Sequence, residues 1–172
     1  MQFPRSAFWD FSVRYYQSAG VEANCLRLQD QYHLNVNLLL FCHWLGVTKQ
    51  SVLTVEQWQQ IISAALPWDE TIAMLRKSRK LIGTANIAWP SDFKQKARDN
   101  VINIELNTEH MQQLAIEQAW LEMPHCNSDD ELETIISSNL SHYLSASGSD
   151  CHLSDIQKPL QTMISAAQNL SD

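Results

Sequence analysis

One segment constrains this chain more than any other. Leu38-Leu39-Leu40-Phe41-Cys42-His43-Trp44-Leu45 carries a single polar residue, His43. Wound into a helix it has no polar side, so the rest of the chain must enclose it. Asn35 stands before it as an N-cap, placed to accept from the amide of Asn37 or Leu38. The run is far shorter than the ~20 residues a membrane span needs, so no membrane association is expected. Four glycines and five prolines in 172 residues are too few for the tight turns of an all-β chain. The expected fold class is therefore all-α, a single bundle of six to seven helices around a central apolar helix at about 35–46.

The glycines and prolines punctuate the remaining pattern. Gly20, Gly46, Gly83 and Gly148 each follow a segment of helical spacing, as residues that leave a helix in the left-handed region do. Pro67 and Pro90 are expected to open helices, and Pro124 to close one. Helices are predicted over 6–18, 21–32 and 35–46. Thr54 and Gln57 form a capping box ahead of Val55, Trp58, Ile62 and Ala65. A separate segment after Pro67 sets Ile72, Leu75, Arg79 and Ile82 on one line. Ala97, Val101, Ile104, Thr108, Met111 and Ala115 alternate steps of four and three, which predicts one long helix at about 91–123. A strand at Ile102-Ile104-Leu106 fits locally but has no convincing strand to pair with. Ser128 with Glu131 forms a second capping box for a helix to about Leu144. The predicted organisation is a bundle at 1–144, a polar linker at 145–154 and an amphipathic helix or arm at 155–172. That last piece can dock on the bundle or stay separate.

Charge is segregated. Residues 1–86 are net +2 and residues 87–172 net −9, within a chain of −7. Arg76, Lys77, Arg79 and Lys80 hold four of the twelve Lys/Arg in five positions, and beyond Asp99 only Lys158 is basic. A general nucleic-acid coat is not expected, although a local contact through the basic cluster stays open. The cluster is expected to pair with the acidic second half, or to leave an Arg76–Lys80 ridge free for a phosphate or an acidic partner.

Searches for chemistry return little. Four scattered glycines build neither a phosphate loop nor a dinucleotide fingerprint. Glu122-Met123-Pro124-His125 has E-x-x-H spacing, but Pro124 breaks the turn that would align the two ligands. Asp129-Asp130-Glu131-Leu132-Glu133 approaches an acidic magnesium cluster, yet acids at a helix start are better read as capping. His125-Cys126 and Cys151-His152 together make the inventory of a zinc site without a recognised spacing. No metal and no cofactor are expected, and Cys25, Cys42, Cys126 and Cys151 are expected to be reduced thiols of a cytoplasmic protein. Trp9, Trp44 and Trp58 read as packing, while Trp68 and Trp89, beside prolines, are candidates for partial exposure.

Two residue sets are singled out. Gln29, Asp30, Asn35, Asn37 and His43 lie within or beside the most apolar part of the chain, where unpaired polar groups cost about 1–3 kcal/mol. They can converge on a ligand pocket, or satisfy one another at helix junctions. For His43 the expectation is a hydrogen bond with a backbone carbonyl. Arg76, Lys77, Arg79 and Lys80 form the second set, for an anion or a partner.

The run Phe8-Trp9-Asp10-Phe11, Tyr15-Tyr16, Gly20-Val21, Cys25-Leu26, Leu28-Gln29-Asp30, Asn35 to Phe41 and Trp44-Leu45 resembles a family of small uncharacterised proteobacterial proteins of 160–170 residues, a domain of unknown function. The resemblance is best over 6–46, looser through Leu75-Arg76, Arg79-Lys80 and Glu105-Leu106, and absent from about 124. It implies a bacterial, cytoplasmic, all-helical domain and brings no catalytic residues. The expected role is a non-catalytic interaction protein that offers a groove or the basic ridge to a protein partner. A small-ligand binder or enzyme with a polar pocket, or an RNA- or ribosome-associated protein, are the alternatives.

Overall fold

The structure, a computed structural model, describes residues 3–86, 91–124 and 126–171. Seven α-helices are found among them: α1 Ala7–Tyr16, α2 Val21–Tyr32, α3 Val36–Trp44, α4 Val55–Thr84, α5 Ser91–Leu121, α6 Leu132–Ser147 and α7 Gln157–Ser171. One π-helical turn, Leu45–Lys49, extends α3. The described residues contain no strand, only an isolated bridge between Ser51 and Asn127. The chain is all-α, and the 102–106 segment lies inside α5.

All nine residues of α3 are buried, as its composition requires. Asn35 caps it, accepting from the Leu38 amide at 3.2 Å. Around α3 the aromatic rings close on one another. Phe8 meets Phe41 edge-on with centroids 5.1 Å apart, and Trp44 meets Trp120 at 5.1 Å. Each such pair adds about 0.5–1.5 kcal/mol beyond burial. Lys49 lies 5.0 Å from the centroids of both Trp44 and Trp120. From α7, Ile156 just before it and then Leu160, Met163, Ile164 and Ala167 enter the same core. The Tyr15 hydroxyl donates to the Met163 carbonyl at 2.7 Å, tying α1 to α7.

Five local expectations are corrected. Pro67 does not open a helix but sits inside the 30-residue α4. A missing amide in a helix interior costs about 3 kcal/mol. The helix continues because the 3–4 spacing of Trp58, Ile61, Ala65, Trp68, Ile72 and Leu75 crosses the proline unbroken. Gly46 does not leave a helix in the left-handed region. It allows close approach, since a Cβ there would come within 2.6 Å of Ile136 Cγ1. The left-handed exit falls instead on Gln50, φ 46°. Gly83 lies within α4 with nothing near it, so neither turn nor packing demands it. The Ser128–Glu131 box does not form. Ser128 Oγ bonds the amide and carboxylate of Asp130, and α6 starts from Glu131 without a side-chain cap. α6 also runs to Ser147, three residues into the predicted linker. Gly20 and Gly148 are left-handed, at φ 82° and 65°. Trp89 and Pro90 lie outside the described residues.

A candidate binding groove on the α4–α5 hairpin

Helices α4 and α5 pack against each other as an antiparallel hairpin. No α4 residue beyond Ile72, and no described α5 residue before Glu105, is buried. The distal part of the hairpin therefore runs past the core, by about 18 Å from Ile72 to Thr84 at 1.5 Å per residue. Leu81 and Phe93 on it are 59% and 65% exposed.

Ion pairs hold this part together. Arg79 donates through Nε and Nη2 to both oxygens of Glu105, at 2.8 and 3.1 Å. Arg76 donates through Nη2 to Glu109 at 2.6 Å, approaches Glu105 at 3.3 Å and gives its Nη1 to Gln29 of α2. Burial pushes the Glu109 carboxyl above its ordinary range, partly countered by Arg76. The two arginines are thus engaged by the acidic second half of the chain. Lys77 and Lys80 are exposed and have no ion-pair partner among the described residues.

Below the arginines lies a row of amides. Asp69 Oδ1 accepts from Asn35 Nδ2 at 2.7 Å and from Gln112 Nε2 at 2.6 Å. Gln112 Nε2 also reaches the Ala65 carbonyl, at 2.9 Å. Asn37 donates to Gln112 Oε1 at 2.6 Å and accepts from Gln113 Nε2 at 2.7 Å. Gln113 Oε1 is buried without a partner among the described residues. Burial raises the Asp69 carboxyl above its ordinary value, with the Gln112 and Asn35 bonds opposing.

These pieces form one open groove of about 640 Å³ between α2 and α4. Asn35, Asp69 and Gln112 lie at one end, Leu34, Ile72, Ala73 and Leu81 give it apolar surface, and Arg76, Lys77 and Lys80 carry it toward the hairpin tip. It shares Lys80 and Thr84 with a second cleft of about 520 Å³ that adds Arg79, Lys94, Gln95 and Arg98. Seven of the twelve Lys/Arg fall within residues 76–98, against the single Asp92.

The fold thus joins most of the two sets read from the sequence. Gln29, Asp30, Asn35, Arg76, Lys77 and Lys80 line the groove, with Asp30 exposed at its rim, and Arg79 lines the neighbouring cleft. Asn37 stands behind, reaching the groove only through Gln112. His43 does not line it. Its Nδ1 lies 2.8 Å from the Leu39 carbonyl, so Nδ1 carries the proton, and its Nε2 is buried without a partner among the described residues. Burial lowers its pKa to about 4. Asp69, Glu105, Glu109, Gln112 and Gln113 were missed by the sequence reading. The seven-residue spacing of Glu105 and Gln112, in step with Thr108, is the one signal that could have flagged polar groups on a buried helix face.

No cluster of three His, Cys, Asp or Glu able to hold a metal occurs among the described residues. His125, common to the E-x-x-H and His-Cys motifs, lies outside them. Cys126 is exposed, whereas Cys25, Cys42 and Cys151 are buried and free. Burial pushes the Cys25 thiol up to about 12, which removes its nucleophilic form at neutral pH. No described helix is long and apolar enough to cross a membrane.

Fold and groove together define an all-helical protein with a hairpin extended beyond its core. The chain belongs to the family described as a protein of unknown function (DUF2390), whose match spans residues 7–116. That span includes α1 to α4 and most of α5, hence every residue of the groove. No curated protein and no solved structure matches the chain.

Proposed function

We propose that this chain is a non-catalytic cytoplasmic interaction protein whose α2–α4 groove receives an acidic, partly apolar segment of a partner protein. The observation that carries the reading is the state of the four basic residues. Arg76 and Arg79 are consumed in building the hairpin, while Lys77 and Lys80 line the groove with no ion-pair partner among the described residues. Leu34, Ile72, Ala73 and Leu81 supply the apolar contact that a bound segment needs in order to gain more than charge attraction. Three buried thiols left unpaired fit a reducing compartment.

The test is affinity capture from lysate with wild type beside Lys77→Glu/Lys80→Glu, a pair whose exposed side chains leave the fold intact. An acidic protein retained by wild type and lost by the variant is the expected result. Identical protein lists from both baits would refute the proposal, and nuclease-sensitive RNA in place of a protein would replace it. The half-buried Asp69 carboxyl beneath the groove favours a second reading, a small ligand held by Asp69 and Asn35. A ligand copurifying with wild type and lost from Asp69→Asn would select it.

A further inference from the structure

We propose that the tip of the α4–α5 hairpin docks on an anionic phospholipid surface. Lipid phosphates enter its basic cleft, and Leu81 and Phe93 enter the acyl boundary. Peripheral contact needs no spanning helix, so the proposal departs from the expectation of no membrane association without requiring a longer apolar run. It goes beyond the groove reading and shares with it only Lys77, Lys80, Leu81 and Thr84. Residues 76–98 are net +6 in a chain of −7, which leaves −13 on the rest. Arg76 and Arg79 answer Glu105 and Glu109, but Lys77, Lys80, Lys94, Lys96 and Arg98 have no ion-pair partner among the described residues. The acids of this stretch are Asp92 and, directly after it, Asp99. Lys80, Lys94 and Arg98 line the cleft of about 520 Å³, and no acid lines it with them. Lys94 donates to the neutral Ala85 carbonyl at 3.0 Å, which holds the side chain without cancelling its charge. Gly83 lines the cleft with backbone alone, so a lipid phosphate can approach closely there. That gives a use to a glycine that neither turn nor packing demands.

Apolar residues sit among these cations. Between Lys80 and Lys94 the sequence carries a single charge, Asp92, beside Leu81, Ile82, Ile87, Trp89 and Phe93. Leu81 and Phe93 stand exposed on the hairpin. Basic side chains flanking exposed apolar ones are what interfacial segments present to anionic lipid. Aliphatic carbon gains by leaving water for the acyl boundary. A nucleic acid is held by stacking and phosphate contacts, which Leu81 does not strengthen. Projection completes the argument. The hairpin carries its tip about 18 Å beyond Ile72, about two Debye lengths at physiological salt. The acidic body is thereby screened from the surface that attracts the tip.

The test sets the full chain against vesicles of mixed phosphatidylglycerol and phosphatidylcholine, beside vesicles of phosphatidylcholine alone. Co-sedimentation with the mixed vesicles only, weakening as salt rises, is expected. No binding to the mixed vesicles overturns the proposal, as does equal binding to both kinds. Each Lys or Arg near such a surface is worth about fivefold in partitioning, so Lys96→Gln/Arg98→Gln is expected to weaken binding about 25-fold. Phe93→Ser, a milder change to an exposed residue, is expected to weaken it about tenfold. Both variants should keep the helical spectrum, and unchanged binding by both sinks the proposal. Neither touches a groove residue, so vesicle binding and partner capture fail or succeed separately. Position is read by acetylating lysines: vesicles are expected to shield Lys80 and Lys96 and to leave the exposed Lys158 reactive. Shielding of Lys158 in place of the tip would overturn the proposal. So would refusal of the mixed vesicles beside single-stranded RNA bound through Lys96 and Arg98, which would make the tip a nucleic-acid site.

Discussion

Arg79 and Glu105 meet as two parallel hydrogen bonds, 2.8 and 3.1 Å, with Glu105 only 6% exposed. Glu105 also takes Arg76 at 3.3 Å, so one buried acid serves two cations from the facing helix. Removing the acid takes away the carboxylate that Arg79 pairs with, while Arg76 keeps Glu109 and Gln29; replacing the Arg79–Glu105 pair by apolar residues leaves neither arginine without its acid. Glu105→Ala is expected to cost about 2–3 kcal/mol. Arg79→Met/Glu105→Leu is expected to cost clearly less than Glu105→Ala alone. Urea titration of the three proteins, with helicity as readout, checks the ordering.

Gly46 lets the π-helical turn lie close against Ile136 of α6. A methyl added at Gly46 would lie 2.6 Å from Ile136 Cγ1 and 3.1 Å from Leu132 Cδ1. Gly46→Ala is therefore expected to destabilise by about 1–3 kcal/mol, the ordinary range for overpacking. Ile136→Ala leaves a cavity worth about 2–5 kcal/mol. Because the added methyl occupies part of that cavity and loses its clash, the double variant should lose clearly less stability than the sum of the two single losses. Additive losses in thermal or denaturant unfolding would show that the π-helical turn moves away from α6 instead.

The central helix and α5 were legible because each follows from a pattern within one segment. Nothing polar interrupts Leu38–Phe41, and the four-three alternation from Ala97 to Ala115 favours a helix over the local strand at 102–106, which has no strand to pair with. Gly46 and Gly83 misled because a glycine has three possible uses, and sequence spacing does not distinguish close approach from a left-handed turn or from neither. Ser128 misled because its hydroxyl has a nearer amide, that of Asp130, than the helix amide it was expected to cap.

The groove was half legible for a related reason. Arg76 to Lys80 and Gln29 to Asn35 stand out as local clusters, but their meeting depends on how α2 lies against α4. Asp69 is one carboxylate among nineteen acidic residues. Its significance comes from Gln112, 43 positions away, which no local pattern connects to it. His43 shows the reverse case: it was flagged for its unusual setting, and that setting is core.

Pro67 offers a direct test of how α4 survives its proline. Its ring removes one amide from the helix interior, yet the flanking Ala65 and Ile72 are buried and hold both halves on one line. Pro67→Ala restores the amide in an exposed position. The expected result is a gain of about 1 kcal/mol, less than the full helical penalty because the freer unfolded chain offsets part of it. A loss on thermal unfolding would mean that the proline shapes a bend the α4–α5 packing requires.

His43 makes stability depend on pH. Burial holds its folded pKa at about 4, against an ordinary 6.5. Between those values the unfolded chain binds a proton that the folded chain refuses, so stability falls as pH drops through 6.5 toward 4. The loss from pH 7 to pH 5 is about 2 kcal/mol. His110, stacked on Trp9, is shifted down as well and adds to the same trend. Asp69 and Glu109, both raised, act oppositely: folding favours their protonated forms, and they return some stability as pH falls toward the carboxyl range. His43→Leu removes the titrating ring together with its unpartnered Nε2. Its denaturant midpoint is expected to change much less between pH 7 and 5 than that of wild type. Equal slopes for the two proteins would place the acid sensitivity elsewhere, with His110 the first group to examine.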